Sequence, residues 1–144
     1  MMVVLDVNVL VSALIGSLGF PRQIFTTWQE EKITLLTSEG ILAELDDKLR
    51  LPRIRKWLPN PDENRHWILQ LLQTQAQLVL VPPSECLALT GDPEDDYVLA
   101  TVRVGEAEYL VTGDRGLLRL REYAGAKIVS PKEFVELFSS TPGG

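Results

Sequence analysis

One cysteine, one histidine and no long apolar run: each shortage in this sequence removes a class of answers. With Cys86 alone there is neither an internal disulfide nor a cysteine-rich zinc site, and with His66 alone there is no cage of imidazoles. Any metal must then be held by oxygen, which selects hard cations, Mg²⁺ or Mn²⁺, over zinc or copper. No stretch reaches the roughly 18 apolar residues of a membrane span. The opening Met1-Met2-Val3-Val4 has no basic residue ahead of its apolar run, so neither a signal peptide nor a membrane anchor is expected, and the expected location is the cytoplasm. Positive charge is short as well. Fourteen Lys and Arg against twenty Asp and Glu leave a net charge of -6, which argues against a broadly basic nucleic-acid surface but leaves room for a local basic patch.

What remains is an ordinary globular composition, 45% hydrophobic and 24% charged over 144 residues, enough for one domain with its own core. A single domain is expected over residues 1–138, with 139–144 as a loose tail and no repeat, low-complexity tract or linker. The chain begins with a β-branched run, Met2 to Leu5, that reads as a central strand covered on both faces, yet it ends on Asp6 and Asn8. In an open α/β sheet the carboxyl ends of the strands face the ligand crevice, so an acid there points toward chemistry.

The rest of the chain alternates between two periods. Asn8 to Ile15 reads as a helix, and a Gly16-Ser17-Leu18-Gly19 break leads to a second over Phe20 to Glu31. A strand over Ile33 to Thr37 is followed by a helix that Ser38 caps, with Ile41, Leu42, Leu45 and Leu49 as its apolar stripe. Arg50 to Lys56 is the most basic stretch. A break at Pro59 to Asp62, a helix over Glu63 to Gln75 and a strand over Leu78 to Val81 come next. Asp92 fits an N-cap with Pro93 at the first helical position, and Gly105 suits the C′ position of that helix. Strands over Tyr109 to Thr112 and Lys127 to Val129 precede a capping box, Ser130-Pro131-Lys132-Glu133, and a last helix ending near Phe138. This alternation predicts a three-layer α/β/α sandwich around a mainly parallel sheet of four to five strands.

In that architecture Asp6 and Asp114 emerge on the same side of the sheet, beside the capped end of the Asp92 helix. Carboxylates brought together repel unless a divalent cation lies between them. Within Asp92, Asp95 and Asp96, the first is assigned to the cap, and Asp96 falls on the stripe with Leu99 and Ala100, turned toward the packed side. Asp95 is left between supporting a ligand and facing solvent. Glu44 lies just off its helix's apolar stripe, where it can border the crevice. His66 reads as a surface residue and Trp28, Trp57 and Trp67 as core or interface.

Taken together, Leu5-Asp6-Val7-Asn8-Val9-Leu10-Val11-Ser12, Glu44, Asp92-Pro93-Glu94-Asp95-Asp96-Tyr97-Val98-Leu99-Ala100 and Leu110-Val111-Thr112-Gly113-Asp114 resemble the PIN domain (PilT N-terminus). The likeness is to its small single-domain, VapC-like members, classed as toxins of toxin-antitoxin pairs. That resemblance implies an Mg²⁺- or Mn²⁺-dependent ribonuclease whose catalytic and metal-holding acids are Asp6, Glu44, Asp96 and Asp114, oriented by Asn8, Ser12 and Thr112. It also implies a cognate antitoxin protein and a homodimer. One departure stands out: the usual Thr-Gly-Asp-x-Asp-Leu-Leu reads Thr112-Gly113-Asp114-Arg115-Gly116-Leu117-Leu118 here, so Gly116 replaces an accessory acid.

The expected reaction is attack of water on an RNA phosphodiester, leaving a 5′-phosphate and a 3′-hydroxyl. Single-stranded RNA suits a recessed site better than a rigid duplex. Arg50, Arg53, Arg55 and Lys56, with Arg115 and Arg119, are the candidates for holding flanking phosphates. Two rivals remain. An aspartyl-phosphate phosphatase would use Asp6 as nucleophile but wants a second aspartate where Asn8 stands, and a silent binding module would keep the fold without turnover.

Overall fold

The computed structural model describes residues 1–16 and 18–140; the expected loose tail from 141 onward, and Ser17 within the glycine break, lie outside the described residues. The order is β1 (Met2–Leu5), α1 (Val7–Ile15), α2 (Phe20–Gln29), β2 (Thr34–Ser38), α3 (Glu39–Leu49), α4 (Pro52–Arg55), α5 (Pro61–Gln75), β3 (Gln77–Val79), α6 (Pro93–Gly105), β4 (Tyr109–Val111), α7 (Arg115–Leu118), β5 (Glu122–Tyr123), β6 (Ala126–Val129) and α8 (Pro131–Ser140). The sheet order is β3-β2-β1-β4-β6-β5, with every pairing parallel except β5 with β6. The architecture is α/β, as expected, and the sheet has six strands rather than four or five.

The extra strand is a two-residue hairpin arm, Glu122–Tyr123, too short to announce itself by alternation. The basic stretch folds into the single turn of α4, and α5 begins at Pro61 within the expected break, because proline fits a first helical turn. Gly105 is not the left-handed residue past the end of α6. The helix continues through it, Glu106 takes the left-handed conformation at φ 54°, and Gly105 is small because a Cβ there would lie 2.9 Å from Val79 Cγ2. The capping box forms as read: the Glu133 amide donates to Ser130 Oγ and the Ser130 amide to Glu133 Oε1, both at 3.1 Å. Helix α8 then runs to Ser140, two residues beyond the expected end near Phe138.

The uncharged run of β1 earns its central place by burial on both faces. Val3, Val4 and Leu5 are buried between β2 and β4, together with Leu35, Leu36, Leu110 and Val111. On the helices the stripes do the same work: Leu45, Leu49, Ile68 and Leu72 are fully buried, each stabilising by about 1.5–3 kcal/mol relative to an exposed position. Helix α2 packs on α1 and α8, while α3 packs on α6, α1 and α5. No single helix among the described residues is long and apolar enough to cross a membrane.

Strand order also fixes where a site can open. From β1 the chain winds outward through β2 and β3, then returns to lay β4 on the opposite side of β1. The reversal leaves a crevice beyond the carboxyl ends of β1 and β4. Leu5 pairs with Val111 across that boundary, so the next residues of each strand, Asp6 and Thr112, emerge side by side.

Candidate functional site

Asp6 leaves β1 as the N-cap of α1, its side chain 5% exposed. Its Oδ1 accepts from the Val7 amide at 2.7 Å and its Oδ2 from the Thr112 hydroxyl at 2.7 Å. The same Thr112 oxygen accepts from the Asp114 amide at 3.0 Å. One buried hydroxyl thus couples the two strand ends and orients Asp6 toward the turn that carries Asp114. Asp114 is exposed and caps α7, with Oδ2 accepting from the Leu117 amide at 2.9 Å. A Cβ on Gly116 would lie 3.1 Å from that Oδ2. The accessory acid that the resemblance leads one to expect there would have stood directly against Asp114.

The start of α6 puts two acids in different surroundings. Asp96 is buried, but its Oδ1 accepts from the Leu89 amide at 3.0 Å, the Thr90 amide at 2.8 Å and the Thr90 hydroxyl at 2.8 Å. Burial raises its proton affinity, and those hydrogen bonds outweigh it, holding the carboxyl below its ordinary value. Asp96 is the peg of the loop before α6. Asp95, half-buried, is raised to about 6, by burial first and then by the negative charges of Asp92, Asp114, Asp6 and Asp96. Asp6 and Asp114 therefore act on Asp95, while they do not enter among the influences on Asp96. Asp96 Oδ1 is thus engaged by the loop before α6, and Asp95 is the α6 acid whose carboxyl is raised by the charges of Asp6 and Asp114. Helical period identified the buried residue, and burial under a loop is not the same as facing the crevice. Both acids belong to the first turn of α6, Asp95 as its third residue and Asp96 as its fourth.

Asp92 caps α6 as read, accepting from the Glu94 amide at 2.9 Å. Ser38 occupies the N-cap position of α3 without a capping bond; its hydroxyl is 2.8 Å from that of Thr101 and ties α3 to α6. The two helices approach closely over Gly40, where a Cβ would fall 2.3 Å from the ring of Tyr97. That approach brings Glu44 of α3 to Glu94 of α6. Burial raises the Glu44 carboxyl to about 7; the ammonium of Lys48 works downward on it, and a hydrogen bond with Glu94 and that residue's charge work upward. Asp6 too is raised, by burial first, against the lowering effect of Thr112, Val7 and Lys48, with Asp114 adding to the rise.

Neither Lys48 nor Glu94 was singled out from the sequence. Lys48 Nζ lies 2.8 Å from Glu44 Oε1 and 3.9 Å from Glu94 Oε2, and donates to Asn8 Oδ1 at 3.1 Å. Asn8 therefore holds the lysine. Ser12 is exposed one turn further along α1, and its backbone carbonyl accepts from the Gly16 amide. The basic rim divides. Arg50 pairs with Asp46 and Arg55 with Asp62, at 3.2 and 2.8 Å, and Arg65 bridges both acids. Lys56 lies over the Trp57 ring, 5.6 Å from its centroid. Arg53, Arg115 and Arg119 form no ion pair among the described residues, and the latter two stand on or just past α7, directly after Asp114.

As a donor set, Asp6, Asp95, Asp114 and Glu44 offer carboxylate oxygen and nothing softer. Among the described residues no three of His, Cys, Asp or Glu stand together so that they could hold a metal ion. Three of the four have raised proton affinities, Asp6, Asp95 and Glu44. Carboxylate oxygens are the donors that a hard divalent cation takes, and its charge would offset the burial that raises their proton affinities.

A family model described as PIN domain matches residues 2–116. An uncharacterized protein from Methanocaldococcus jannaschii is 37% identical over 145 residues, an alignment covering 94% of this chain and 90% of that protein. Among solved structures, VapBC2 from Rickettsia felis, bound to a DNA fragment from its promoter, superposes with a TM-score of 0.61 at 14% identity, covering 90% of this chain and 98% of that one. FitAcB from Neisseria gonorrhoeae gives a TM-score of 0.61 at 20% identity, covering 91% of this chain and 99% of that one. At these identities the structural likeness is one of fold.

Proposed function

The chain belongs to the PIN domain family, and from that premise we propose that it is a ribonuclease that hydrolyses phosphodiester bonds with Mg²⁺ or Mn²⁺ at the crevice beyond β1 and β4. The observation that supports this reading is the emergence of Asp6 and Thr112 side by side at the strand-order reversal, with the Thr112 hydroxyl donating to Asp6 and accepting from the Asp114 amide. Asp6, Asp95 and Asp114 hold the cation, with Glu44 at the rim; Asp95 takes the place that spacing gave to Asp96. When bound, the cation supplies Lewis acidity toward water and the phosphate oxygens.

The chain's own residues do the remainder. Thr112 fixes the rotamer of Asp6 and the backbone of Asp114 through one oxygen, so the two acids move as a unit. Glu44, with its proton affinity raised to about 7, is suited to take a proton from water near neutral pH. Arg115 and Arg119, which follow Asp114 in the chain and form no ion pair among the described residues, receive the flanking phosphates, with Arg53 further along the strand. Arg50 and Arg55 are committed to Asp46 and Asp62 and contribute less. A cognate antitoxin belongs to the same proposal, supported by the likeness in fold to VapBC2 and FitAcB. The test of the reaction is cleavage of mixed single-stranded RNA oligomers with Mn²⁺ by the parent chain and by Asp6→Asn and Asp114→Asn. The proposal requires products bearing 5′-phosphates from the parent and loss of cleavage in both variants; variants as fast as the parent would sink it.

A further inference from the structure

We infer that Lys48 is a resident cation of the acidic crevice, and that a divalent ion engages Glu44 only by displacing the lysine's ammonium from it. The inference rests on the metal reading above and adds a residue of this chain to it. Three elements converge on one Nζ: Glu44 of α3 at 2.8 Å, Asn8 of α1 at 3.1 Å and Glu94 of α6 at 3.9 Å. Asp6 and Lys48 also lie within each other's field. The side chain is 22% exposed, and Glu44, its nearest partner, is 10% exposed, so this pair is shielded in a way that the rim pairs of Arg50 and Arg55 are not.

The lysine is held there by its helix as well as by its charge. Leu45 and Leu49, which flank Glu44 and Lys48 in sequence, are fully buried, so α3 cannot roll to carry the ammonium away. Only side-chain rotation can release it, and a flexible four-carbon stem permits that. A divalent cation and an ammonium sharing one carboxylate repel each other strongly in a partly desolvated crevice. Entry of the ion therefore breaks the Lys48–Glu44 and Lys48–Asn8 contacts, and its apparent affinity is lowered by the free energy of that exchange. In the absence of the ion the ammonium is the counter-charge that lets Glu44, Glu94 and Asp6 coexist.

Calorimetric Mn²⁺ titration of the parent chain, Lys48→Met, Lys48→Gln and Lys48→Arg, with Asp6→Asn as the control for the site, tests this. The expected result is that Lys48→Met and Lys48→Gln bind Mn²⁺ about tenfold more tightly than the parent, equivalent to about 1.4 kcal/mol, while Lys48→Arg stays near the parent. Melting in EDTA gives a second readout: the two neutral variants melt lower than the parent, and saturating Mn²⁺ restores most of the difference. A merely structural lysine would leave a deficit that Mn²⁺ does not repair. Equal or weaker Mn²⁺ binding by both neutral variants, with binding still abolished in Asp6→Asn, overturns the exchange and leaves the metal site standing. No Mn²⁺ binding by any form overturns the metal reading, and the exchange with it.

Discussion

Two regions of this molecule gather carboxylates, and the chain treats them in opposite ways. At the rim, Asp46 and Asp62 each meet arginines, and their proton affinities fall: for Asp46 burial works upward but the bonds from Arg65 and Arg50 prevail, and for Asp62 the bond from Arg55 comes first. In the crevice, Asp6, Asp95 and Glu44 meet burial first and then the charges of neighbouring acids, Asp114 for Asp6, Asp92, Asp114 and Asp6 for Asp95, and Glu94 for Glu44, and theirs rise, Asp95 to about 6 and Glu44 to about 7. A rim acid that already has a guanidinium partner needs nothing more. Crevice acids are short of positive charge, with one lysine among them, and that deficit marks the region where a cation or a proton has work to do.

The sharpest way to break this contrast is to remove a crevice acid. Asp6→Asn is expected to lower RNA cleavage by about a hundredfold or more, the scale seen when one preorganised electrostatic group is removed. Because burial raises Asp6, its neutral amide should melt close to the parent, so activity and stability separate in one variant. Next in size is the pair at α6. Asp95→Asn should lose Mn²⁺ affinity with little change in melting, whereas Asp96→Asn should melt lower, having weakened the anchor of Leu89 and Thr90, and keep Mn²⁺ affinity. If Asp96→Asn is the one that loses Mn²⁺, the division between peg and ligand is wrong.

Gly40→Ala forces the Tyr97 ring away from α3 and should cost about 1–3 kcal/mol in a urea titration, with weaker Mn²⁺ binding because Glu44 and Glu94 move apart. A smaller effect separates the regions by pH. In EDTA the folded chain holds protons on Glu44 and Asp95 up to about 7 and 6, where the unfolded chain releases them near the ordinary 4.5 and 3.8. More protons bound in the folded state means that stability falls as pH rises from about 4 to 7 and then levels. The rim acids act below that window, since depressed carboxyls lose their contribution only as pH drops through values under 3.8. Melting temperature should therefore pass through a maximum near pH 4 to 5, and Mn²⁺ should flatten the upper slope. Smallest of all is Arg50→Ala, an exposed i,i+4 partner of Asp46, which should shift melting by no more than about 2 °C.

Much of this was legible before any coordinates. The β-branched run ending at Asp6, the capping box at Ser130 and the strand that delivers Thr112 and Asp114 are local signals, carried by a few adjacent residues, and local signals survive into the fold. The anchoring of the Leu89–Thr90 loop on Asp96 was not legible, because helical period separates a packed side from an exposed one and says nothing of which loop packs there. Gly105 was read as a turn residue when its smallness serves Val79, a neighbour 26 positions away in sequence whose approach no local pattern encodes. Lys48 and Glu94 lay unread for the same reason: one looked like an ordinary i,i+4 partner on a helix, the other like a first-turn charge, and only the contact of α3 with α6 makes them parts of one site.

The central claim is that the crevice, and not the rim, takes the metal. Stepwise addition of Mn²⁺ to ¹⁵N-labelled protein, followed by paramagnetic broadening of the backbone amides, reads this position by position. The account predicts that Asp6, Val7, Asp95 and Asp114 broaden first, while Asp46 and Asp62 stay sharp at the same Mn²⁺ concentration. Broadening centred on Asp46 and Asp62, or spread evenly over the acidic surface, would contradict it.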